Sequence, residues 1–185
     1  MTEIARSARK KLHAVDVVIF ERVADFDAPF LDRVLPPLSE AASYSRLWIA
    51  VSLVLISGGS GRRRKAAIGA MTAVAATSAI ANVAMKQMAR RRRPETVVPV
   101  GRRLKQPSSS SFPSGHAASA AAFSGVIGRE IPQLALPVNL LAGTVAFSRV
   151  YTGVHYPGDV VAGWLLGRSV AGVASRVLRR FGDSV

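Results

Sequence analysis

The feature that most constrains this fold is the alternation of apolar stretches with short, strongly basic segments. The chain carries 25 Lys and Arg against 11 Asp and Glu, yet 49% of its 185 residues are hydrophobic. A soluble nucleic-acid-binding protein of this charge would not normally be so apolar. The two properties coexist when apolar spans cross a membrane and basic loops join them. We therefore expect an all-α, polytopic transmembrane helical bundle of about five to six spans, with no nucleic-acid partner.

Five apolar stretches predict the spans, although each is shorter or less hydrophobic than a solitary span of about 20 residues. Their alanine and glycine content favours close helix packing, and "GWLLG", from Gly163 to Gly167, is a small-xxx-small pattern. The predicted spans are 44–57, 66–89, 114–128, a stretch from the "REIPQ" turn to about 150, and 157–178.

The N-terminal region is amphipathic rather than uniformly apolar. Residues 13–40 place apolar side chains at helical spacing but include charges such as Asp16 and Asp32. We interpret the region as one or two interfacial helices, the second interrupted at Pro36-Pro37, or as a degenerate first span. The chain has no cysteine, which excludes a disulfide framework and a thiolate metal site.

A first polar cluster, "KQMARRRRP", ends the second predicted span. Lys86 and Arg93 are seven residues apart, so two helical turns would place both on one face. Pro94 disfavours helix at the residue before it and is expected to end the segment. A positively charged flank that anchors the helix among lipid headgroups explains this pair as well.

A second cluster, "PSGH" at 113–116, opens the third predicted span. Ser114 suits an N-cap, and Gly115 allows a ligand to approach the backbone closely. The unpaired N–H groups of a helix start attract anions, and His116 lies in that first turn. A simple cap with an interfacial histidine is the alternative interpretation.

The third cluster, "SRVYTGVHYPGD", joins the last two predicted spans. Arg149 ends one span, and His155 directly precedes a helix whose first residue is Pro157. Asp159 falls one turn later, where it is expected to accept a hydrogen bond from the histidine ring. Helix capping alone would explain this acid, but charges at membrane depth are costly and usually functional.

An even number of crossings separates the three clusters, so the topology places them on one side of the membrane. Together they supply three positive charges, backbone donors at a helix start, and two histidines. A histidine oriented by a carboxylate can act as base or nucleophile, while a second histidine can act as general acid. The combination predicts a site that both binds a phosphate and carries out a reaction on it.

These residues resemble the three signature motifs of the type 2 phosphatidic acid phosphatases, a superfamily that includes vanadium haloperoxidases and bacterial acid phosphatases. The chain matches the KX6RP, PSGH and SRX5HX3D spacings without substitution, over roughly residues 80–165. The resemblance implies a transmembrane catalytic domain over 44–181, preceded by a basic, amphipathic segment at 1–43 and followed by a tail at 182–185. Membrane members of the family usually have six spans, whereas five are predicted here besides the amphipathic region. The side of the membrane on which the N-terminus lies is therefore left open.

The resemblance also implies a role for each matched residue. His155 would attack phosphorus and form a phosphohistidine, Asp159 would orient its ring, and His116 would protonate the leaving group and then activate water. The phosphate would be held by Lys86, Arg93, Ser114, Gly115 and Arg149. The resemblance implies no metal, no cofactor and no particular oligomeric state. The other arginines of the run, Arg90 to Arg92, are expected mainly to attract anionic headgroups.

The expected function is hydrolysis of a lipid phosphate by an integral-membrane phosphatase. The candidate substrates are phosphatidate, phosphatidylglycerol phosphate, a polyprenyl diphosphate and a polyprenyl-phosphoribose phosphate; the Ala- and Arg-rich composition is typical of high-GC actinobacteria and keeps the last one open. Alternatives are a lipid phosphotransferase with the same site and a non-catalytic protein that binds anionic lipids. A haloperoxidase is disfavoured by the small, membrane-bound chain.

Two observations bear on the orientation. "GRRRK" and the basic C-terminal segment lie on the face opposite the clusters, which favours that face as cytoplasmic. The motif face also has many Arg and Lys, which phosphate binding would explain. Together with the orientation that the family resemblance implies, these charges predict a bacterial cytoplasmic membrane protein with an extracytoplasmic active site.

Overall fold

The computed structural model describes residues 3–58, 60–85, 91–95 and 97–180. Every regular element in that part of the chain is helical, as expected, and α4 continues into a short π-helical segment, Ile80–Met85. The described residues form seven α-helices: α1 Glu3–Ala24, α2 Pro29–Ala41, α3 Arg46–Ser57, α4 Gly61–Ala79, α5 Gly115–Glu130, α6 Ala135–Tyr151 and α7 Pro157–Arg180.

Helix α5 is the centre of the bundle, surrounded by α4, α6 and α7. Every residue from Ala117 to Ile127 is buried, so the helix has no outward face. Its modest hydrophobicity follows from this position, because a helix enclosed by protein is packed by small side chains and is not in contact with lipid. Larger side chains fill the remaining space near α3, where Trp48 lies against Phe123 with ring centroids 5.0 Å apart.

The closest helix contact is between α5 and α7, and glycine makes it possible. A Cβ at Gly163 would lie 2.4 Å from the carbonyl oxygen of Ser114, and one at Gly167 would lie 2.1 Å from that of Ala118. No real side chain tolerates such distances, so the α7 backbone can approach α5 only at these glycines. The interpretation of "GWLLG" as a packing motif is confirmed.

Among the described residues, two helical segments are long and apolar enough to cross a membrane, Gly61–Val83 and Pro132–Tyr151, and they overlap the predicted second and fourth spans. Large apolar side chains project outward from the helices around α5, as expected for a bundle surrounded by lipid. Examples are Leu53 and Val54 on α3, Ile68 on α4, Leu136 and Leu140 on α6, and Val161 and Leu165 on α7. The other predicted spans are helical in part or whole, and their crossing of the membrane stays a prediction.

The N-terminal region forms α1 and α2, which pack against α6. The expected break at Pro36-Pro37 is wrong, because α2 continues through both prolines to Ala41. Proline fits helical φ but removes an N–H donor. The buried face of α2, with Leu35 and Ser39, outweighs that loss.

The two ends of the bundle differ in their polar contacts. At one end, Arg62 Nε donates to the Glu130 carbonyl oxygen at 2.7 Å, and Arg179 pairs with the Glu130 carboxylate at 3.1 Å. The other end carries the starts of α5 and α7, where the motif residues lie. This confirms that the "GRRRK" segment and the basic C-terminal helix end are on the face opposite the motifs.

The α5–α7 contact predicts a difference between two glycines of the same helix. Gly167→Ala should lower the unfolding midpoint in detergent, because overpacking a tight contact costs about 1–3 kcal/mol. Gly172→Ala is the matched control, since a Cβ there meets nothing within 4 Å and alanine favours helix by up to about 1 kcal/mol. Equal midpoints for the two variants in thermal unfolding would contradict this account of the packing.

Candidate active site

The second and third motifs meet at the adjoining starts of α5 and α7. Ser114 is the N-cap of α5, and its Oγ accepts from Ala117 N at 3.4 Å, as predicted. The Ser114 N–H donates to the Asp159 carbonyl oxygen at 2.9 Å, which joins the two helix starts directly. Gly115 follows as the first residue of α5, and His116 lies in its first turn. The helix predicted to begin at Pro157 is confirmed as α7.

His155 is buried in the short loop between α6 and α7, with only 3% of its surface exposed. Its backbone N–H donates to the Arg149 carbonyl oxygen at 3.0 Å. Arg93 Nη1 lies 3.3 Å from the ring Nε2. A guanidinium can only donate, so Nε2 is the acceptor and Nδ1 carries the ring proton.

The expected hydrogen bond from the His155 ring to Asp159 is not formed. Nδ1 lies 3.7 Å from Asp159 Oδ2, within ion-pair range but beyond a hydrogen bond. The carboxylate is instead held by two other donors, since Oδ2 accepts from Tyr156 N at 3.0 Å and Oδ1 pairs with Arg91 at 2.8 Å. Asp159 is fully buried, so it faces the imidazole with its oxygens already fixed.

Arg93 reaches His155 from a non-helical segment rather than from a helix. Residues 91–95 are not helical, so the argument that Lys86 and Arg93 share a helix face is wrong for Arg93. Its Nη1 donates to the Val154 carbonyl oxygen at 2.9 Å, and its Nε donates to the Pro107 carbonyl oxygen at 3.0 Å. Lys86 lies outside the described residues.

Arg149 is buried at the end of α6, next to His155 in the fold. Its Nη1 donates to Ser39 Oγ at 2.5 Å, whereas its buried Nε has no hydrogen-bond partner among the described residues. A buried guanidinium with an unused N–H is suited to bind an anion. Neither Arg149 nor Arg93 forms an ion pair with a carboxylate in the described part of the chain.

Two serines from the N-terminal region contact predicted site residues, and sequence analysis did not identify them. Ser39, on α2, binds Arg149, and Ser43, just beyond α2, lies with its Oγ 3.2 Å from His116 Nε2. The available signal was a pair of hydroxyls four residues apart, one on an amphipathic helix and one just beyond its end. Such a pattern gives no indication of which distant residues it meets.

Arg91 is the largest departure from the sequence interpretation. It was expected to be a surface cation that attracts headgroups, but its guanidinium bridges Asp159 and Asp16, at 2.8 and 2.6 Å. It also lies 4.5 Å above the ring of Tyr156. Arg92 is exposed, as expected for a headgroup-attracting residue, and Arg90 lies outside the described residues.

Burial and neighbouring charge keep the nucleophile candidate neutral. Burial and, to a smaller extent, the charges of Arg149 and Arg93 lower the pKa of His155 to about 4, although Asp159 opposes the shift. Burial also lowers the pKa of the Arg93 guanidinium. At neutral pH the His155 ring is therefore uncharged, with a lone pair on Nε2 beside the Arg93 guanidinium. This arrangement favours reaction with an anionic phosphate.

Among the described residues, no three His, Cys, Asp or Glu side chains form a group that could hold a metal ion.

Comparisons with known proteins agree with the motifs and the fold. The sequence profile of the PAP2 superfamily matches residues 66–183. Decaprenylphosphoryl-5-phosphoribose phosphatase of Mycobacterium tuberculosis is 34% identical over 163 residues, which are 88% of this chain and 89% of that protein. Phosphatidylglycerophosphatase B of Bacillus subtilis is 30% identical over 84% of this chain and 79% of its own length.

The fold has a counterpart among solved structures. The crystal structure of a transmembrane PAP2-type phosphatidylglycerolphosphate phosphatase from Bacillus subtilis superposes with a TM-score of 0.70. The match covers 95% of this chain and 88% of that one at 22% identity, and it concerns the fold alone. The similarity to membrane proteins of this family identifies the chain as an integral membrane protein.

The low pKa of His155 predicts a pH-dependent stability. Between pH 6.5 and 5 the unfolded histidine binds a proton that the folded one excludes, so stability should fall as pH falls, by at most about 1.4 kcal/mol per pH unit. His155→Gln should lose this component while His13 and His116 remain as in the wild type. Unfolding midpoints of both proteins at pH 6.5 and 5 measure it. Identical pH slopes would show that His155 is not buried as a neutral ring.

Proposed function

Because the chain belongs to the PAP2 superfamily, we propose that it hydrolyses a lipid phosphate at this site through a phosphohistidine on His155. The observation that supports the proposal most strongly is the buried, neutral imidazole whose Nε2 lone pair faces Arg93. A structural histidine would gain nothing from being placed beside two arginines that pair with no described carboxylate. A nucleophile for a phosphate needs those cations.

In the first step, the Nε2 lone pair of His155 bonds to phosphorus and the bond to the leaving oxygen breaks. The ring becomes cationic, with its proton on Nδ1 facing Asp159, so a carboxylate that closes from 3.7 Å stabilises the intermediate. His116 donates a proton to the leaving oxygen. Its Nε2 lies 3.2 Å from Ser43 Oγ, a contact that can orient the ring for this transfer.

In the second step, neutral His116 takes a proton from water as the hydroxyl attacks phosphorus. The bond to His155 Nε2 breaks, phosphate leaves, and both histidines return to their starting protonation states. The role of the arginines is electrostatic in both steps, because phosphoryl transfer is catalysed largely by positioned charge. The unused Arg149 Nε, the Arg93 guanidinium and the start of α5 at Gly115 supply donors, and Lys86 is proposed as a third cation.

We propose a polyprenyl-phosphoribose phosphate as the preferred substrate. The support is the similarity to a decaprenylphosphoryl-5-phosphoribose phosphatase, which extends over 88% of this chain. Phosphatidylglycerol phosphate is the second candidate, because a phosphatidylglycerophosphatase is 30% identical over 84% of the chain. The site faces the extracytoplasmic side in this proposal, since the opposite end carries Arg62 to Lys65 and the last turn of α7.

The proposal is tested with the full chain purified in detergent. Phosphate release is measured from polyprenyl-phosphoribose phosphate, phosphatidylglycerol phosphate, phosphatidate and polyprenyl diphosphate, each with and without EDTA. We expect turnover in EDTA, highest kcat/KM for the first substrate, and none for His155→Ala, whose folding is checked by its unfolding midpoint. Phosphate release only with added Mg²⁺, or undiminished turnover by His155→Ala, would contradict the mechanism. Product formation only with an alcohol acceptor would identify a phosphotransferase.

Adjacent arginines provide a second, matched test. Arg93→Ala should lower kcat/KM about 100-fold, since one lost contact to transition-state charge costs roughly 3 kcal/mol. Arg92→Ala, in the exposed neighbour, should lose less than tenfold at low salt and less still at high salt. Arg93→Lys keeps the positive charge but loses the hydrogen bonds of the guanidinium to the loop, so it separates the contribution of the charge from that of the loop contacts. Equal, salt-screened losses at both positions would remove any special role for Arg93.

A further inference from the structure

Arg91 lies at the centre of a charge cluster that joins the N-terminal helix to the proposed catalytic residues. Nη1 donates to Asp159 Oδ1 at 2.8 Å, and Nη2 donates to Asp16 Oδ2 at 2.6 Å. We infer that Arg91 and Asp16 are positioning residues for the Asp159–His155 pair, which makes α1 part of the active site. The inference rests on the proposed phosphatase function and adds two residues: Asp16, which lies outside the three motifs, and Arg91, which occupies an unspecified position of the first.

Both the backbone and the side chain of Arg91 are held in place by neighbouring residues. Its backbone N–H donates to Ser110 Oγ at 3.0 Å, and its carbonyl oxygen accepts from Ser111 N at 2.9 Å. The guanidinium lies 4.5 Å above the Tyr156 ring, which also meets the His13 ring of α1 edge-on at 5.4 Å. A planar guanidinium can serve two carboxylates at once in this fixed position, whereas an ammonium acts as a single point charge.

Asp16 contacts both Arg91 and the beginning of α7. While Oδ2 binds Arg91, Oδ1 accepts from Gly158 N at 2.7 Å. A Cβ at Gly158 would lie 2.7 Å from Asp16 Oδ2, so this approach of helix to carboxylate requires glycine. The single side chain of Asp16 therefore fixes the turn that carries Asp159, from a helix that precedes all three motifs in sequence.

The charges of the cluster suit the chemistry proposed for His155. Arg91 alone would neutralise the buried Asp159 and weaken its effect on the imidazole. Asp16 shares Arg91, so one cation serves two carboxylates and the cluster keeps a net negative charge. That charge stabilises the imidazolium which develops when Nε2 bonds to phosphorus. The hold of Arg91 on Oδ1 also leaves Oδ2 as the oxygen directed toward the His155 ring.

Two substitutions test the inference in the full chain. Asp16→Asn keeps an oxygen that can accept from Gly158 N but removes the negative charge. Arg91→Lys keeps the positive charge but removes the planar guanidinium that donates to both carboxylates. For both we expect kcat to fall about tenfold, equivalent to one unit in the pKa that the cluster controls, with KM changed less than threefold. Glu21→Gln, an exposed acid on the same helix, and Arg92→Lys are the controls and should keep wild-type kcat.

A purely structural role predicts a different pattern. If the two residues only hold α1 in place, the variants should have a lower unfolding midpoint and a smaller fraction of folded, active enzyme. A loss of activity proportional to the loss of folded protein would therefore overturn the inference. A rise in KM that accounts for the whole loss of kcat/KM would overturn it too. If Asp16→Asn fails to fold, Arg91→Lys decides by the same criteria. Wild-type kcat in the folded variants, beside an active wild type, overturns this inference alone. A wild type that releases no phosphate from any lipid overturns the proposed function and this inference with it.

Discussion

The close approach of α5 to α7 is the contact on which the rest of the structure depends. It brings the Ser114 N–H within 2.9 Å of the Asp159 carbonyl oxygen and so sets the second motif against the third. Gly163 and Gly167 permit it, because any Cβ at either position would overlap the α5 backbone. In a membrane, where apolar side chains gain little by leaving lipid, packing of this kind replaces the hydrophobic effect as the force that fixes helices.

A second constraint is the balance of buried charge around His155. Asp159 is fully buried and shares Arg91 with Asp16, whereas Arg93 and Arg149 pair with no carboxylate among the described residues. Arg93 lies at the histidine Nε2, and Asp159 lies on its Nδ1 side. This polarity across one ring is what the proposed mechanism needs, since an anion approaches one nitrogen while positive charge develops toward the other.

The sequence predicted the parts of this arrangement that local rules control. The Ser114 cap, the start of α7 at Pro157 and the glycine packing motif each depend on residues adjacent in sequence or one helical turn apart. Contacts over long sequence distances were not predictable. Asp16 is 75 residues from Arg91, and nothing in "RRRR" distinguishes the arginine that bridges two carboxylates from the exposed one beside it. The predicted break at the two prolines of α2 was wrong for the same reason: the packing of α2 against distant residues outweighs the local effect of proline on the helix.

The measurement that tests the central claim most directly is the location of a trapped phosphoryl group. Enzyme mixed with lipid labelled in the phosphate is stopped with detergent at alkaline pH, where phosphohistidine survives, and is digested with trypsin. Cleavage after Arg149 and Arg168 releases a peptide that contains His155 and no other histidine, whereas His116 lies in the peptide from Gln106 to Arg129. The account predicts the label on His155. A label on the His116 peptide, or none during rapid phosphate release, would contradict it.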